Sequence, residues 1–546
     1  MDLVWFVILG TSAMTAVVSA CPEHCHCVDI KIRCQGYMIK EFPSSLPSTT
    51  IRLLITNTSI TTLKPADFET FADTLIAFVA MDSRIAKVHP YTFNQTQSLE
   101  TLVLSGTDLT SLPENLFENL QNLSTLTLSN NKLSVLPPSL LTPLTALTKL
   151  DLSKNQLVSL AENAFHGLGQ LQQLMLQRNS IRDLNKDVFQ GHLKLKALFL
   201  RQNNLMEIPA GIFDDLVNLE MLHLQDNKIT RIPLNLFKNQ EKLKKLYLSN
   251  NRLSSLPGGI FLSLPNLSHI SLYENQLQSL LPGTFGPMFL QELWLYNNML
   301  THLEENVFSN LTEVQLLVLT RNQIQHISPG AFNGLVKVEE ISLHTNRLTS
   351  ITGGIFKDLP KLTNISLENN EIHHIPNDLL DGVSHLYQLE LQNNSLANLP
   401  KEFLNSLSVV DNAVLSQNPW RCDHDIIPFR DWLQQFPEKV KNLSSLVCTI
   451  PTHLNGRNIT ELMDNDILAT QPPTVTTFHI SSSAPADSKS GEGGGEAGGL
   501  SKNTFIIIIS VGCTVLIVSV IACVLWRRNR RGSQDLDRER NKNSVI

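Results

Sequence analysis

The sequence predicts an α/β solenoid: a horseshoe of about fifteen 24-residue coils with a concave parallel sheet, a cysteine-rich cap at each end and a single transmembrane helix beyond. Three observations carry this. From Leu99 onward the pattern L-x-x-L-x-L-x-x-N-x-L-x-x-L-x-x-x-x-F-x-x-L recurs at a fixed spacing of 24. Cysteines gather just before the first repeat and just after the last. Residues 505–526 form a run of 22 uncharged, mostly apolar residues.

Taken in order, residues 1–20 hold an apolar stretch at 3–10 and then small residues ending Val18-Ser19-Ala20. This fits a signal peptide cut after Ala20, although the residue ahead of the apolar stretch is Asp2 rather than a base. Residues 21–49 form an N-terminal cysteine-rich cap containing Cys21, Cys25, Cys27 and Cys34. Four cysteines allow three disulfide connectivities. A zinc site that adds His24 and His26 to these thiols is the rival reading, and an oxidising compartment disfavours it.

Residues 50–409 hold the fifteen repeats. Leu123, Leu147, Leu171, Leu195, Leu219, Leu243 and Leu267 open successive units; one residue is lost near Met288, and Leu290, Val314, Val338, Leu362 and Leu386 open the rest. Apolar residues at positions 1, 4 and 6 face inward from a short strand, and those between face out. Position 9 is Asn in twelve units, from Asn131 to Asn394. An amide both donates and accepts, so stacked asparagines can bond the backbone of their own and neighbouring coils. Thr58, Ser83 and Thr107 stand there in the first three units, which predicts looser N-terminal coils. Position 19 is usually Phe, from Phe117 to Phe356, giving a second inner column. With strands about 4.8 Å apart, the sheet would run about 70 Å along its curve.

Residues 410–463 form the C-terminal cap, with Phe429 and Trp432 as expected plugs over the last coil. Residues 464–503 turn Pro/Thr-, Ser- and Gly/Glu-rich, a composition that suits a flexible stalk. The span at 504–526 is long enough to cross a bilayer. Arg527, Arg528, Arg530 and Arg531 follow it and place the 527–546 tail in the cytoplasm. The expected location is thus the plasma membrane, type I and single-pass, with the ectodomain outside. Cys513 and Cys523 fall in the span; the latter is also a palmitoylation candidate.

The repeat resembles that of leucine-rich repeat proteins over residues 50–409. With its caps, stalk, span and short tail, the chain is similar to the subgroup that includes leucine-rich repeat-containing protein 15 and platelet glycoprotein V. Glu292-Leu293-Trp294-Leu295-Tyr296, residues 328–335 and Asn418-Pro419-Trp420-Arg421-Cys422-Asp423 carry that similarity. The noncatalytic subunit of carboxypeptidase N is a more distant relative, secreted and without a span. Family precedent implies pairing of the first cap cysteine with the third and the second with the fourth. It also implies a C-terminal cap with four cysteines; here His424 stands where one would be, leaving a single Cys422–Cys448 bridge. The resemblance implies a cell-surface adhesion or matrix-binding receptor, and brings no fixed ligand residues with it.

Nine N-x-S/T sequons mark candidate N-glycosylation at Asn57, Asn94, Asn122, Asn266, Asn310, Asn364, Asn393, Asn442 and Asn458. The formal net charge of -7 selects no partner class, and no basic patch or nucleotide loop points to nucleic acid. No nucleophile, base and orienting group converge, so neither enzyme activity nor a cofactor or metal is expected. His223 with Asp226, or His344 with Glu340, can be written only as dyads. Function therefore rests on the outward strand positions 3, 5 and 7. There the middle repeats place Phe199, Arg201, His223, Tyr247, Tyr273, Trp294 and Tyr296, an aromatic column suited to a protein ligand. Cross-strand aromatics that only stabilise the sheet surface are the alternative. Glu340, Glu368 and Glu390 make the C-terminal end acidic. Ser544, Val545 and Ile546 fit strand addition to a PDZ domain. Two roles follow: adhesion to a matrix or plasma glycoprotein through the concave face, or lateral association with other receptors as an accessory subunit. An innate pattern receptor is disfavoured, because 20 tail residues hold no signalling domain.

Overall fold

Alternation along each strand sets the fold. In Thr101–Ser105, Leu102 and Leu104 are fully buried while their neighbours face outward. Each strand pairs in parallel with the equivalent residues one coil on, as in Leu126↔Leu150, Leu150↔Leu174 and Leu174↔Leu198. This computed structural model describes residues 21–468 of the 546. The expected signal peptide, the expected stalk beyond residue 468, and the expected span and tail lie outside the described residues. Among the described residues no helix is long and apolar enough to cross a membrane.

The strands join one 18-stranded sheet. Fifteen come from the repeats. Lys31–Gln35 extends it at the N-terminal end, pairing antiparallel with Cys25–Val28 and parallel with Arg52–Thr56. Val410–Val414 extends it at the other end. The expected α/β class is corrected to a β-solenoid: among the described residues, α-helices occur only at Lys401–Ser406, Ile427–Gln435 and Asp464–Leu468, with short 3-10 turns elsewhere. The return half of a coil is too short and too rich in breakers for a helix. It uses single turns instead, several opened by proline, as in Leu116 N–H to Pro113 O and Leu236 N–H to Pro233 O, both 3.2 Å.

The phenylalanine column fills the return side. From Phe165 to Phe356 successive rings lie 5.7–6.5 Å apart, mostly stacked. Neighbouring strands sit only about 4.8 Å apart. Each coil is therefore a wedge, wider at the phenylalanines than at the sheet, and the stack curves with the sheet on its inner face.

The asparagine ladder binds each coil to the one before. Asn155 Oδ1 accepts from Leu133 N–H at 3.1 Å, while its Nδ2 donates to Leu128 O at 2.8 Å and Leu152 O at 3.0 Å. Asn418 repeats the arrangement inside the assigned C-terminal cap, so the cap begins with a further solenoid coil. Immediately before the ladder the backbone turns left-handed in every such coil, from Asn130, Lys154 and Arg178 through Thr345 and Asn393 to Gln417.

The looser N-terminal coils are not found. Thr58 and Ser83 are buried and bond each other, and Thr107 bonds the first ladder amide, Asn131. Hydroxyls carry the ladder there, and the strands are five residues long rather than three. The lost residue near Met288 is absorbed on the return side: Ile270 still pairs with Leu293, and Leu277 N–H still meets Asn298 Oδ1 at 3.1 Å.

At the caps, Cys21 is bonded to Cys27, Cys25 to Cys34 and Cys422 to Cys448. Held in bridges, the N-terminal thiols cannot serve a metal. Trp420, Phe429 and Trp432 are buried over the last coil, with the Trp420 and Phe429 rings 4.8 Å apart. The folded cap runs past residue 463 into the assigned stalk. Asp464 accepts from buried Arg430 at 2.7 Å, Asp466 pairs with Arg457 at 3.0 Å, and Ile467 is buried.

Candidate functional site

Side chains at strand positions 5 and 7 stand outward from neighbouring coils at the strand spacing, so planar groups at equivalent positions meet face to face. Position 5 carries Phe199, His223 and Tyr247 in consecutive strands. Their rings stack with centroids 4.8 Å apart (Phe199–His223) and 4.3 Å apart (His223–Tyr247). The expected single column then breaks. Ser271 follows Tyr247 at position 5, and the aromatic series moves to position 7, where Tyr273 and Tyr296 stack at 4.6 Å. Trp294 returns to position 5 and meets Tyr296 edge-on at 6.1 Å.

The crossing is filled diagonally. Tyr247 and Tyr273 flank it, and Ser271 Oγ reaches Ser249 Oγ at 3.3 Å. The result is one aromatic track that steps sideways across five coils, half-buried because its rings shield one another. Burial and the neighbouring Tyr273 raise the Tyr247 hydroxyl above its ordinary pKa.

Polar neighbours fix the rings. Gln225 Nε2 donates to His223 Nδ1 at 3.0 Å, so the imidazole carries its proton on Nε2. Burial and then the Arg201 charge depress the His223 pKa to about 4, so the ring is neutral at physiological pH. Trp294 Nε1 donates to Glu292 Oε2 at 2.9 Å. Arg201 stands at position 7 beside the first stack. Glu292 and Met175, which pairs in register with Phe199, belong to this surface and were not among the residues chosen from sequence. Position within the repeat was the available signal for both.

The acidic end lies two to four coils beyond Trp294. Glu340 and Glu390, with Asn364, Ser366, Tyr387 and Gln388, line an open depression of about 240 Å³. Burial first and Glu390 second raise the pKa values of Glu340 and Glu368. Of the sequon asparagines, Asn364 lies in a strand on the concave face, half-buried between Glu340 and Gln388 in register. Asn122, Asn266 and Asn310 lie late in their repeats and donate to backbone carbonyls of the preceding coil. Asn393 is exposed beside Asn369, Asn442 is exposed in the cap, and Asn458 caps a short turn there. Asn57 and Asn94 are half-buried in the first two repeats. Among the described residues no group of three or more His, Cys, Asp or Glu side chains is placed to hold a metal.

Rat reticulon-4 receptor-like 2 is 33% identical over 115 residues, 20% of this chain and 27% of that protein. The baboon (Papio cynocephalus) platelet glycoprotein Ib beta chain is 37% identical over 67 residues, 12% of this chain and 32% of that one. The chain thus spans less than a third of the length of either relative. In the Drosophila Toll–Spatzle complex, a solved chain matches with a TM-score of 0.59 and 22% identity over 80% of this chain and 68% of its own, a likeness of fold. The leucine rich repeat family matches in six stretches, 81–133, 121–181, 169–229, 241–289, 289–348 and 336–396, which together span more than half of the sequence. The chain belongs to the leucine-rich repeat family.

Proposed function

We propose that this chain is a single-pass cell-surface receptor of the subgroup that includes leucine-rich repeat-containing protein 15 and platelet glycoprotein V. Its concave face binds an extracellular protein and attaches cells to matrix or plasma glycoproteins. One observation carries the reading: the stepped aromatic track from Phe199 to Tyr296 sits on the outer side of the sheet, where it serves no core. Aromatic and arginine side chains bury much area with few rotatable bonds, which is the composition of binding hot spots. Disulfide caps and nine sequons suit an extracellular chain. In this reading residues 504–526 span the plasma membrane, and Ser544, Val545 and Ile546 offer a PDZ ligand inside the cell.

An accessory role beside other receptors is the second reading, favoured by one specific feature. The shortened coil leaves Phe289, Leu281 and the neighbouring Leu262 exposed by 63, 50 and 54% on the return side. That is an apolar surface a lateral partner could cover.

The test is binding of labelled collagens, fibronectin, laminin and plasma adhesive proteins to cells displaying the full chain, beside a Tyr247→Ala/Trp294→Ala/Tyr296→Ala variant at equal surface level. Saturable binding lost in the variant supports adhesion through the concave face. Binding that ignores the substitutions moves the site elsewhere. No binding at all favours the accessory role.

A further inference from the structure

Beside the Phe199–His223–Tyr247 stack runs a row of position-7 side chains that do not satisfy one another. Gln177 Oε1, Arg201 Nε and Gln225 Oε1, on three consecutive coils, are turned away from solvent with no hydrogen-bond partner. Gln225 has committed its amide nitrogen to His223. Arg201 forms no ion pair among the described residues, nor does Lys245, which stands at position 3 two coils on. Elsewhere on this protein exposed cations do find acids one coil away: Lys132 with Asp108, Arg231 with Glu207, Lys244 with Glu220 and Lys337 with Glu313, all at 2.7–2.9 Å. The repeat could have offered Arg201 such an acid and does not. Buried donors and acceptors left unmatched gain more from a partner than those already paired with water.

We infer that this row is the anchor of the concave binding face and that it takes an acidic polypeptide segment. Resting on the reading proposed above, the inference names the partner's chemistry. An Asp or Glu carboxylate meets the Arg201 guanidinium, with Lys245 as second cation. Backbone N–H groups beside that carboxylate meet the Gln177 and Gln225 carbonyl oxygens after a side-chain rotation. The stacked rings reinforce the sign: each ring covers its neighbour's electron-rich face, so the surface presents their electropositive edges. A sulfated polysaccharide fits less well. It would need a dense array of cations where Arg201 and Lys245 stand two coils apart, and it brings few N–H donors for two carbonyls.

The test uses the full chain in phosphatidylcholine nanodiscs, with fluorescein-labelled poly-L-glutamate as probe and poly-L-lysine and heparin as comparators. Arg201→Gln, Arg201→Lys and the distant surface control Arg321→Gln are measured beside wild type. The expected result is saturable poly-glutamate binding, at least tenfold weaker in R201Q, partly kept in R201K and unchanged in R321Q. Equal binding by R201Q and wild type would overturn the inference, as would preference for heparin or poly-lysine. Adhesive-protein binding by the same nanodiscs, with and without the three aromatics, separates the outcomes. If it depends on the aromatics but poly-glutamate does not bind, the concave face stands and the acidic ligand falls. If poly-glutamate binds through Arg201 and no adhesive protein does, the adhesion reading falls and this one stands.

Discussion

His223 lies flat against Tyr247, ring centroids 4.3 Å apart and planes 18° from parallel, with Phe199 on its other face. Sandwiched this way the imidazole is costly to charge, and Arg201 and Lys245 add repulsion. NMR titration of the full chain should show the His223 ring neutral at pH 5.5, with its midpoint near 4. Arg201→Gln should raise that midpoint toward the ordinary value. The sign follows from linkage. The unfolded imidazole takes its proton near 6.5, so this group lowers stability as pH falls from about 6.5 toward 4 and changes it no further below. Between pH 7.5 and 6.5 it leaves both the fold and the concave face unaffected.

Asn251 holds three backbone groups of two coils. It accepts from Ile229 N–H at 3.0 Å and donates to Leu224 O and Leu248 O at 3.0 and 3.1 Å. Asn251→Ala leaves the Ile229 N–H unpaired in a buried site, while Leu224 O and Leu248 O keep the ladder amides of Asn227 and Asn275. The expected loss is about 1–3 kcal/mol, the cost of one orphaned buried donor. Amide hydrogen exchange should quicken most at Ile229 and its neighbours, because coils communicate mainly with adjacent coils. An unchanged Ile229 protection factor would show that the ladder amide is dispensable there.

Thr345 is the β-branched residue in the left-handed position before the ladder, at φ 59°. Its side chain is exposed, and its N–H donates to Glu368 O at 2.9 Å. L residues pay about 1–2 kcal/mol for this conformation, and Asn bears it best among those with side chains. Thr345→Asn should therefore stabilise the chain by about 1 kcal/mol, read as a higher denaturation midpoint with an unchanged slope. A neutral or lower midpoint would mean that the neighbouring coils already hold this backbone without strain.

The period was legible because it is written in residue types that act by type: leucine inward, asparagine at the turn, phenylalanine on the return side. The left-handed residue ahead of the ladder was not, since Lys154, Arg178 and Thr345 carry no conformational signal of their own; the ladder bonds and the next coil impose that geometry. Thr58, Ser83 and Thr107 read as weak substitutes for Asn, yet buried hydroxyls bond each other as readily. The aromatic residues were visible, but not their arrangement. Tyr247 and Tyr273 belong to different positions of the repeat, and only the paired serines at 249 and 271 reveal that the track crosses between them. The boundary between cap and stalk was misplaced because Asp464 and Asp466 look like stalk residues until Arg430 and Arg457 are seen to claim them.

Glu390 sets the electrostatics of the acidic end. Burial comes first in raising the pKa values of Glu340 and Glu368, and repulsion by Glu390 second. A carboxyl whose folded pKa lies above its unfolded value of about 4.5 binds protons more readily in the folded state. Stability contributed by such a group therefore rises as pH falls through the folded pKa and levels off below the unfolded one. Glu390→Gln removes the shared charge while keeping the side chain's size and the bonds it can make to Gln388. The variant should be more stable than wild type at pH 7, by about 0.5–1 kcal/mol, the usual scale for like charges facing across strands. The difference should shrink on acidification, because Glu340 and Glu368, both raised above their ordinary value, take up protons first and no longer repel Glu390. Denaturation midpoints of both proteins at pH 7 and pH 4 decide the matter, and an advantage that persists at pH 4 would trace the gain to packing rather than charge.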